Sequence, residues 1–249
     1  MMPAIARRIG PAMGIVSVGL TLAGLGIHRY PDVRPSDIQL ASWIDTTDLG
    51  QFTTGVYVEA LGLALFLPFV AWLYAKLRAA EAAPSWLAIT ALVAGVGYVI
   101  TSLPINEFWV AILDQGKKGL DIRVAQTLVS ANQALFDMSS IVFGLFFLAA
   151  GISIIGWGAM ARWAGWAAVL VGVLLAVPPI AYPPAAGNPL PVLSLVWIVG
   201  VSGYYTVRPA RAPKKAAAVS VEDQPHEEDL NVPTAAEAID PATSAQGPT

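Results

Sequence analysis

The chain has 249 residues, of which 56% are hydrophobic and 12% are charged, and its mean hydropathy is +0.62. A water-soluble domain usually carries about 25% charged residues, so this composition excludes a soluble globule and indicates a protein embedded in lipid. The absence of cysteine excludes disulfides, thiolate nucleophiles and cysteine-ligated metals. Residues 1–206 contain ten basic and ten acidic side chains, so the net charge of −3 lies in the C-terminal segment. No basic patch suggests a nucleic-acid partner.

Six apolar segments are long enough to cross a bilayer as helices, since a ~30 Å hydrocarbon layer needs about 17–25 apolar residues. They lie near residues 9–27, 53–75, 85–103, 135–156, 162–181 and 190–207. The first segment follows Arg7 and Arg8, but its apolar run is too long for a signal peptide and no cleavage motif precedes His28. The sequence therefore predicts an all-α fold, with a six-helix transmembrane bundle over residues 1–207.

The distribution of Lys and Arg predicts the orientation of the bundle, because cytoplasmic loops carry an excess of these residues. With the N-terminus inside, nine basic residues are cytoplasmic and five are external. The adjacent pair Lys117 and Lys118, on the external side, runs against this trend. We therefore expect a multi-pass protein of the plasma membrane with both termini in the cytoplasm.

The first outer connection, residues 28–52, carries a helix signal. Ser36 and Gln39 match a capping box, in which the two side chains satisfy free N–H groups at a helix start. Apolar side chains follow at helical spacing, namely Ile38, Ala41 and Ile44. This pattern predicts a short helix on the outer side of the membrane.

The second outer connection, residues 104–134, also reads as helical. After Pro104, apolar residues recur at i, i+3, i+4, i+7 and i+8 from Ile105 to Leu113. This spacing predicts a short amphipathic helix that lies along the membrane surface or bends over the bundle. From Asp121 the chain reads as one helix that continues into the fourth span and projects above the bilayer.

Residues 208–249 differ abruptly in composition from the rest of the chain. A basic, proline-interrupted stretch is followed by an acidic stretch and by an end rich in Ala, Pro, Thr and Ser. Such a segment buries too little apolar area to offset its ordering entropy, so we expect a disordered cytoplasmic tail. Four basic residues are expected to contact anionic lipid headgroups: Arg208, Arg211, Lys214 and Lys215. Docking of a partner by the acidic stretch is the alternative role for this tail.

Small residues recur at helical spacing in two spans. The first span carries Gly10, Gly14, Ser17, Thr21 and Gly24, and the fifth carries Ala161, Gly165, Ala168, Gly172 and Ala176. Such stripes let helix backbones approach closely where lipid supplies no hydrophobic drive between helices. They predict packing within one subunit, and a homodimer interface is the alternative.

Two acidic side chains fall inside predicted spans, where a carboxylate at the bilayer centre costs at least ~2.5 kcal/mol. Glu59 lies seventeen residues before Lys76, about 26 Å along a helix, which places it near the outer boundary of the hydrocarbon. Asp137 is expected at a similar depth. A weak internal repeat, in which Trp86–Gly95 aligns with Trp163–Gly172, relates the two acids as parts of equivalent hairpins.

Around these acids the sequence predicts a polar pocket in the outer half of the bundle, able to hold a proton, a cation or a polar ligand head. Gln133, Asp137 and Ser140 share one helical face. The remaining members expected at this level are His28, Glu59, Asn106, Glu107 and Asn132. The alternative is that each acid bonds locally, to Tyr57, Ser140 or backbone, and only sets helix register.

Several chemistries are excluded by the sequence. The bundle holds one histidine where a bis-histidine haem needs two, no mid-span lysine for retinal, no phosphate-binding loop and no Gly-x-Ser-x-Gly elbow. We therefore expect no cofactor and a non-enzymatic binding or partner protein. Two alternatives remain: a small proton-coupled solute carrier that uses the acid pair, and an enzyme acting on a lipid-borne substrate with Glu59 or Asp137 as general base.

Three stretches carry a resemblance to a known group: Glu59–Arg78, then Pro84-Ser85-Trp86, and the turn Arg162–Trp166. They resemble uncharacterised actinobacterial six-span membrane proteins, which also have an early acid in the second span and a basic inner turn. The resemblance covers about residues 50–206 and implies the six-span topology. Because the group has no assigned activity, the resemblance implies none.

Overall fold

The computed structural model describes residues 6–31, 35–81, 85–176 and 190–207, and these ranges contain helices and no strands. The helices are α1 (Ala6–Ile27), α2 (Asp37–Thr46), α3 (Leu49–Ala80), α4 (Trp86–Lys117), α5 (Ile122–Trp157), α6 (Arg162–Ala176) and α7 (Leu190–Val207). Four of these described helices are long and apolar enough to cross a membrane, namely α1, α3, α4 and α5. Shorter apolar helices lie at Arg162–Ala176 and Val192–Val207. The prediction of an all-α fold is confirmed for the described residues, and the four long apolar helices are compatible with a membrane protein.

Parts of the sequence-based prediction lie outside the described residues. These are the end of the fifth predicted span, residues 177–181, and the whole of the predicted tail, residues 208–249, with its four headgroup-binding side chains. The exposed surface of the described helices is consistent with a lipid environment. Val93, Ile100 and Met138 are each more than 60% exposed. Large apolar side chains at this density are stable in contact with hydrocarbon rather than water.

One end of the bundle has a hydrophobic core of its own. At this end α3 begins, α4 ends, α5 begins and α2 packs across them, and we call it the cap. The cap core has two adjoining parts, Leu40, Ile44, Ile112, Ala125 and Val129 in one and Phe52, Val56 and Leu113 in the other. The helices that enter the cap have 32 to 36 residues, more than the ~20 that a bilayer crossing requires. The cap therefore uses the surplus length of α3, α4 and α5.

The expected separate helix after Pro104 is wrong, because α4 runs unbroken from Trp86 to Lys117 with Pro104 inside it. Proline removes one backbone donor, but the residues beyond it are held by packing in the cap. Ile112 and Leu113 are fully buried there. The apolar periodicity of this segment thus reports burial against α2, α3 and α5, not contact with a membrane surface. The prediction that helix α5 continues from Asp121 into the fourth span is confirmed.

The capping box that starts α2 is confirmed. Ser36 Oγ accepts from the Gln39 amide at 3.3 Å, and Gln39 Oε1 accepts from the Ser36 amide at 2.8 Å. The predicted apolar face is partly wrong, because Ile38 is 83% exposed whereas Leu40 is fully buried. Leu40 and Ile44, four residues apart, form the face that packs in the cap core.

Both stripes of small residues pack within the chain. Along α1, Gly24 lies against Gly55 and the Glu59 backbone, and Ser17 Oγ donates to Gly62 O at 2.7 Å. The stripe on α6 packs on α5 through glycines of both helices: Gly144, Gly151, Gly165 and Gly172. The expected packing within one subunit is confirmed, and a homodimer interface stays a prediction.

Candidate functional site

Glu59 lies where the cap core meets the larger hydrophobic core of the bundle. We call this larger core, which includes Phe66, Phe69 and Phe146, the main core. On α3, Val56 belongs to the cap core, and Phe66, nearly three turns further along, belongs to the main core. The end of α1 packs directly against this turn of α3, since a Cβ on Gly24 would come within 2.7 Å of the Glu59 amide nitrogen. The Glu59 side chain is 14% exposed. The carboxyl group is therefore enclosed on most sides, with one small opening.

His28, just beyond the end of α1, faces the Glu59 carboxyl. Its Nδ1 lies 2.7 Å from Gly24 O, and its Nε2 lies 3.6 Å from Glu59 Oε2. Because a carbonyl oxygen only accepts hydrogen bonds, Nδ1 carries a hydrogen and donates it to Gly24. A neutral imidazole then has its lone pair at Nε2, directed towards Glu59.

The His28 ring is held in its neutral form. Burial lowers the pKa of His28 below its usual value of 6.5, and the hydrogen bond to Gly24 O opposes this only in part. The His28 side chain is fully buried. The contact between His28 and Glu59 is therefore not a charged salt bridge, since the imidazole lacks the second proton that such a pair needs.

Tyr30 supplies the hydrogen-bond donor to this carboxyl. Its hydroxyl donates to Glu59 Oε2 at 3.0 Å and lies 3.3 Å from Asn106 Oδ1 on α4. Burial raises the pKa of the Tyr30 hydroxyl. Tyr30 therefore keeps its proton and remains a donor. We call His28, Tyr30, Glu59 and Asn106 the junction site.

Two buried polar atoms of the junction site lack a hydrogen-bond partner among the described residues. They are His28 Nε2 and Asn106 Nδ2, each with less than 1 Å² of exposed surface. His28 and Asn106 are 4% and 5% exposed as whole residues. A buried polar group without a partner costs about 1–3 kcal/mol. The junction site therefore has hydrogen-bonding capacity that the described chain does not use.

Aromatic rings enclose the junction site on the cap side. The His28 ring packs edge-on against Tyr30 and Phe52, with centroids 4.6 and 4.9 Å apart. Trp109 and Trp43 extend this cluster into the cap, and the Trp43 indole N–H donates to Arg29 O at 3.0 Å. These contacts fix the segment after α1 and exclude water from the imidazole.

The polar path ends one turn below Glu59. There Gly62 packs against Thr21, and its carbonyl accepts the hydrogen bond from Ser17. Further along α3, Leu63, Phe66 and Phe69 are buried. Within the described residues, the junction site is thus covered by aromatic rings both on the cap side and towards the opposite end, and 14% of the Glu59 side chain stays exposed.

A second polar group lies on α5. Gln133 Nε2 donates to Asp137 Oδ1 at 3.1 Å, and Ser140 donates to the Phe136 carbonyl of its own helix at 2.9 Å. An open groove follows this face of α5, lined by Gln126, Val129, Ser130, Gln133, Ala134 and Asp137. We call this group the α5 groove. It presents amide, hydroxyl and carboxyl groups without aromatic cover.

The structure therefore divides the predicted site residues into separate groups. His28, Glu59 and Asn106 meet in the junction site, whereas Gln133 and Asp137 meet in the α5 groove. No described hydrogen bond or ion pair joins Glu59 to Asp137. The side chain of Glu107, adjacent to Asn106, is exposed. Convergence of the two acids in one pocket stays a prediction that these contacts do not support.

Sequence reasoning missed Tyr30, which makes the shortest contact to the Glu59 carboxyl. Tyr30 lies in the connection after α1, where no helical period indicates its direction. The bond between Asn132 and Trp109 was missed for a similar reason. With its amide oriented to satisfy both neighbours, Asn132 accepts from Trp109 Nε1 at 2.8 Å and donates to Ile105 O at 3.2 Å. A helical wheel shows that these residues face inward but does not show what they meet.

The described residues form a helical bundle with four helices long and apolar enough to cross a membrane and with a buried polar site at one end. No family model, curated protein or solved structure matches the chain. Its function is therefore argued from the chemistry of the junction site.

Proposed function

We propose that this is a six-span integral protein of the plasma membrane, with both termini in the cytoplasm, which binds a small polar ligand at the junction site. The six spans comprise the four long helices together with α6 and α7, whose apolar segments extend to span length in the sequence. The proposal includes kinship with the actinobacterial six-span group and contact of the basic segment 208–215 with anionic lipid headgroups. A homodimer is compatible with it.

The observation that carries the proposal is the set of unpartnered buried atoms beside Glu59. His28 Nε2 and Asn106 Nδ2 have no partner among the described residues. Buried polar atoms are nearly always paired, so these two indicate that the hydrogen bonding of the site is incomplete without a further group. The Glu59 side chain keeps some exposed surface whereas His28 Nε2 has almost none, so a ligand meets the Glu59 carboxyl. Carboxyl oxygens favour a ligand with a positive charge or hydrogen-bond donors.

Binding is favoured over transport by the closed end of the site. A carrier needs polar groups that continue along the path of its solute. Below Glu59 the described helices offer the Ser17–Gly62 hydrogen bond and the contact between Ser102 and Ser139 beside Tyr98. The rings of Phe66, Phe69 and Phe143 follow. Beyond these few hydroxyl groups, a ligand bound at Glu59 meets an aromatic core. A small proton-coupled carrier would need a polar route through that core.

Thermal unfolding of the purified protein tests the proposal. The probes are sodium, potassium, ammonium, methylammonium and choline chlorides at matched ionic strength. We expect at least one probe to raise the unfolding temperature in a saturable way, because a ligand that binds only the folded state stabilises it. Glu59→Gln should abolish this shift. Asp137→Asn, which removes the second acid predicted inside a span, is the matched control and should retain it.

Two results would contradict the proposal. One is a panel in which no probe stabilises the wild-type protein. The other is a shift of the same size in Glu59→Gln, which would place the binding of that probe elsewhere. Saturable uptake of the stabilising probe into vesicles, dependent on Glu59 and on a proton gradient, would favour the carrier instead.

A further inference from the structure

The geometry between His28 and Glu59 specifies what occupies the junction site when no larger ligand is present. His28 Nδ1 is committed to Gly24 O, so the lone pair of Nε2 faces Glu59 Oε2 across 3.6 Å. An ionised carboxylate would bring a second acceptor against this lone pair. Two acceptors at this distance repel each other, because neither supplies the hydrogen that a hydrogen bond requires. A hydrogen between them removes the conflict.

Only a proton fits this position. Less than 1 Å² of Nε2 is exposed, so no ligand atom the size of water reaches it without displacing the imidazole. The rings of Tyr30 and Phe52 hold that imidazole in place. The opening at Glu59 admits a ligand to the carboxyl but not to Nε2. The nitrogen therefore finds its partner in the carboxyl group itself.

We infer that in the unliganded protein Glu59 carries a proton on Oε2 and donates it to His28 Nε2, forming a neutral carboxyl–imidazole pair. No covalent bond other than the O–H bond is involved, and the pair as a whole holds one proton beyond the His28 Nδ1 hydrogen. The Tyr30 hydroxyl donates to the same oxygen. A small side-chain movement shortens the 3.6 Å separation to the ~2.8 Å of a hydrogen bond. This inference concerns the same junction site as the proposed function, but it describes the site without a ligand.

The surroundings favour the neutral pair over an ion pair. Taking two charges out of water costs several kcal/mol for each ion unless further partners compensate them. The groups that face the pair carry no opposite charge: Tyr30 and Asn106 face Glu59 as hydrogen-bonding groups but are neutral, and Tyr98 of α4 is a phenol. The side chain of Arg29, next to His28 in the sequence, is exposed. Burial also lowers the pKa of His28, which disfavours the imidazolium.

The pair gives the site a defined chemistry towards its ligand. A cation that binds the Glu59 carboxylate must displace the proton, so each bound cation releases one proton to the solvent. Because of this exchange, the affinity for the ligand depends on pH. In the unliganded protein, the proton lies between the end of α1 and helix α3. The class of ligand is thereby narrowed to positively charged groups small enough to enter at Glu59.

Infrared spectroscopy of the unliganded protein in phosphatidylcholine vesicles at neutral pH tests the inference. We expect the carbonyl band of a protonated carboxyl group, lost in Glu59→Gln and unchanged in Asp137→Asn. A second measurement needs no variant at His28. Nitrogen-15 NMR of histidine-labelled wild-type protein should show one neutral imidazole protonated at Nδ1 and hydrogen-bonded at Nε2.

Absence of the Glu59-dependent band, or an imidazolium signal from His28 at neutral pH, would overturn the inference. The result is separable from that of the cation panel, because it is obtained without ligand. If the band is present but no probe stabilises the protein, the proton pair is supported and the proposed ligand binding is contradicted. If the band is missing but a probe stabilises the protein in a Glu59-dependent way, ligand binding is supported and the proton pair is contradicted.

Discussion

The Tyr30 hydroxyl donates to Glu59 Oε2 at 3.0 Å, although 29 positions separate the two residues. This bond joins the segment after α1 to the turn of α3 where the cap core meets the main core. The same hydroxyl lies 3.3 Å from Asn106 Oδ1 on α4. One side chain thus connects the cap, α3 and α4, and the junction site depends on its position.

Removal of the Tyr30 hydroxyl should destabilise the protein while leaving its ring packing intact. Tyr30→Phe keeps the edge-on contacts with His28 and Phe52 but leaves the Glu59 oxygen without its donor. We expect the free energy of unfolding to fall by about 1–2 kcal/mol, the usual cost of leaving a buried acceptor unpaired. Equilibrium unfolding by denaturant in mixed micelles measures this change.

Tyr57→Phe is the control for that substitution. Tyr57 is two residues from Glu59 on the same helix, but its side chain is 61% exposed. Substitutions at such surface positions usually change stability by less than about 0.5 kcal/mol. An equal loss of stability in the two variants would show that the hydroxyl of Tyr30 has no particular role.

Acid should destabilise the protein through His28. Because burial lowers the pKa of His28 in the folded state, the unfolded state binds a proton at a higher pH than the folded state does. The proton on Glu59 has the opposite effect, so the measurement uses the Glu59→Gln background. There the unfolding free energy should rise with pH in this interval, and stability should be lost as the pH falls below about 6.5. In the same background we expect His28→Asn to flatten this dependence, as measured by the unfolding temperature across a pH series. His226→Asn, which alters the other histidine of the chain, should leave the curve unchanged, and a slope in His28→Asn equal to that of the background would contradict the assignment.

The close approach of α1 and α3 can be tested with two glycines of the same helix. A Cβ on Gly24 would lie 2.7 Å from both Glu59 N and Gly55 O, whereas nothing lies within 4 Å of a Cβ on Gly26. We expect Gly24→Ala to cost about 1–3 kcal/mol, as overpacking does, and to weaken the junction site. Gly26→Ala should be neutral within about 0.5 kcal/mol. Unfolding free energies of the two variants decide the matter, and equal values would exclude close α1–α3 packing at this level.

The predictable part of this fold is what composition and local chemistry determine. Apolar length identifies the helices, and the capping box between Ser36 and Gln39 is a local exchange of hydrogen bonds, so both can be read directly. The end of α4 could not be predicted in the same way. Pro104 weakens a helix locally, but burial of Ile112 and Leu113 against other elements holds it together. Propensity is local, whereas packing depends on partners distant in sequence.

The candidate site shows the same division. Glu59 and His28 could be singled out because a charged or titratable side chain near a span is costly and therefore informative. Which residues they meet could not be inferred, since a period of 3.6 residues gives a face and not a partner. Asp137 has the same sequence signature as Glu59, yet its described hydrogen bond is to Gln133 on its own helix. Tyr30 has no sequence signature, yet it contacts both Glu59 and Asn106.

Single cysteines can test the six-span topology, because the natural chain has none and each introduced thiol is unique. Ile38 in the cap is 83% exposed, and Ala79 lies exposed at the opposite end of α3. In intact cells, a membrane-impermeant maleimide should label Ile38→Cys, and it should label Ala79→Cys only after permeabilisation. Asn188→Cys, between the fifth and sixth predicted spans, distinguishes six spans from four, because external labelling there requires α6 to cross the membrane and, with the C-terminus in the cytoplasm, α7 to cross back. Protection of Asn188→Cys in intact cells would limit the protein to its four long helices, and labelling of Ala79→Cys without permeabilisation would reverse the orientation.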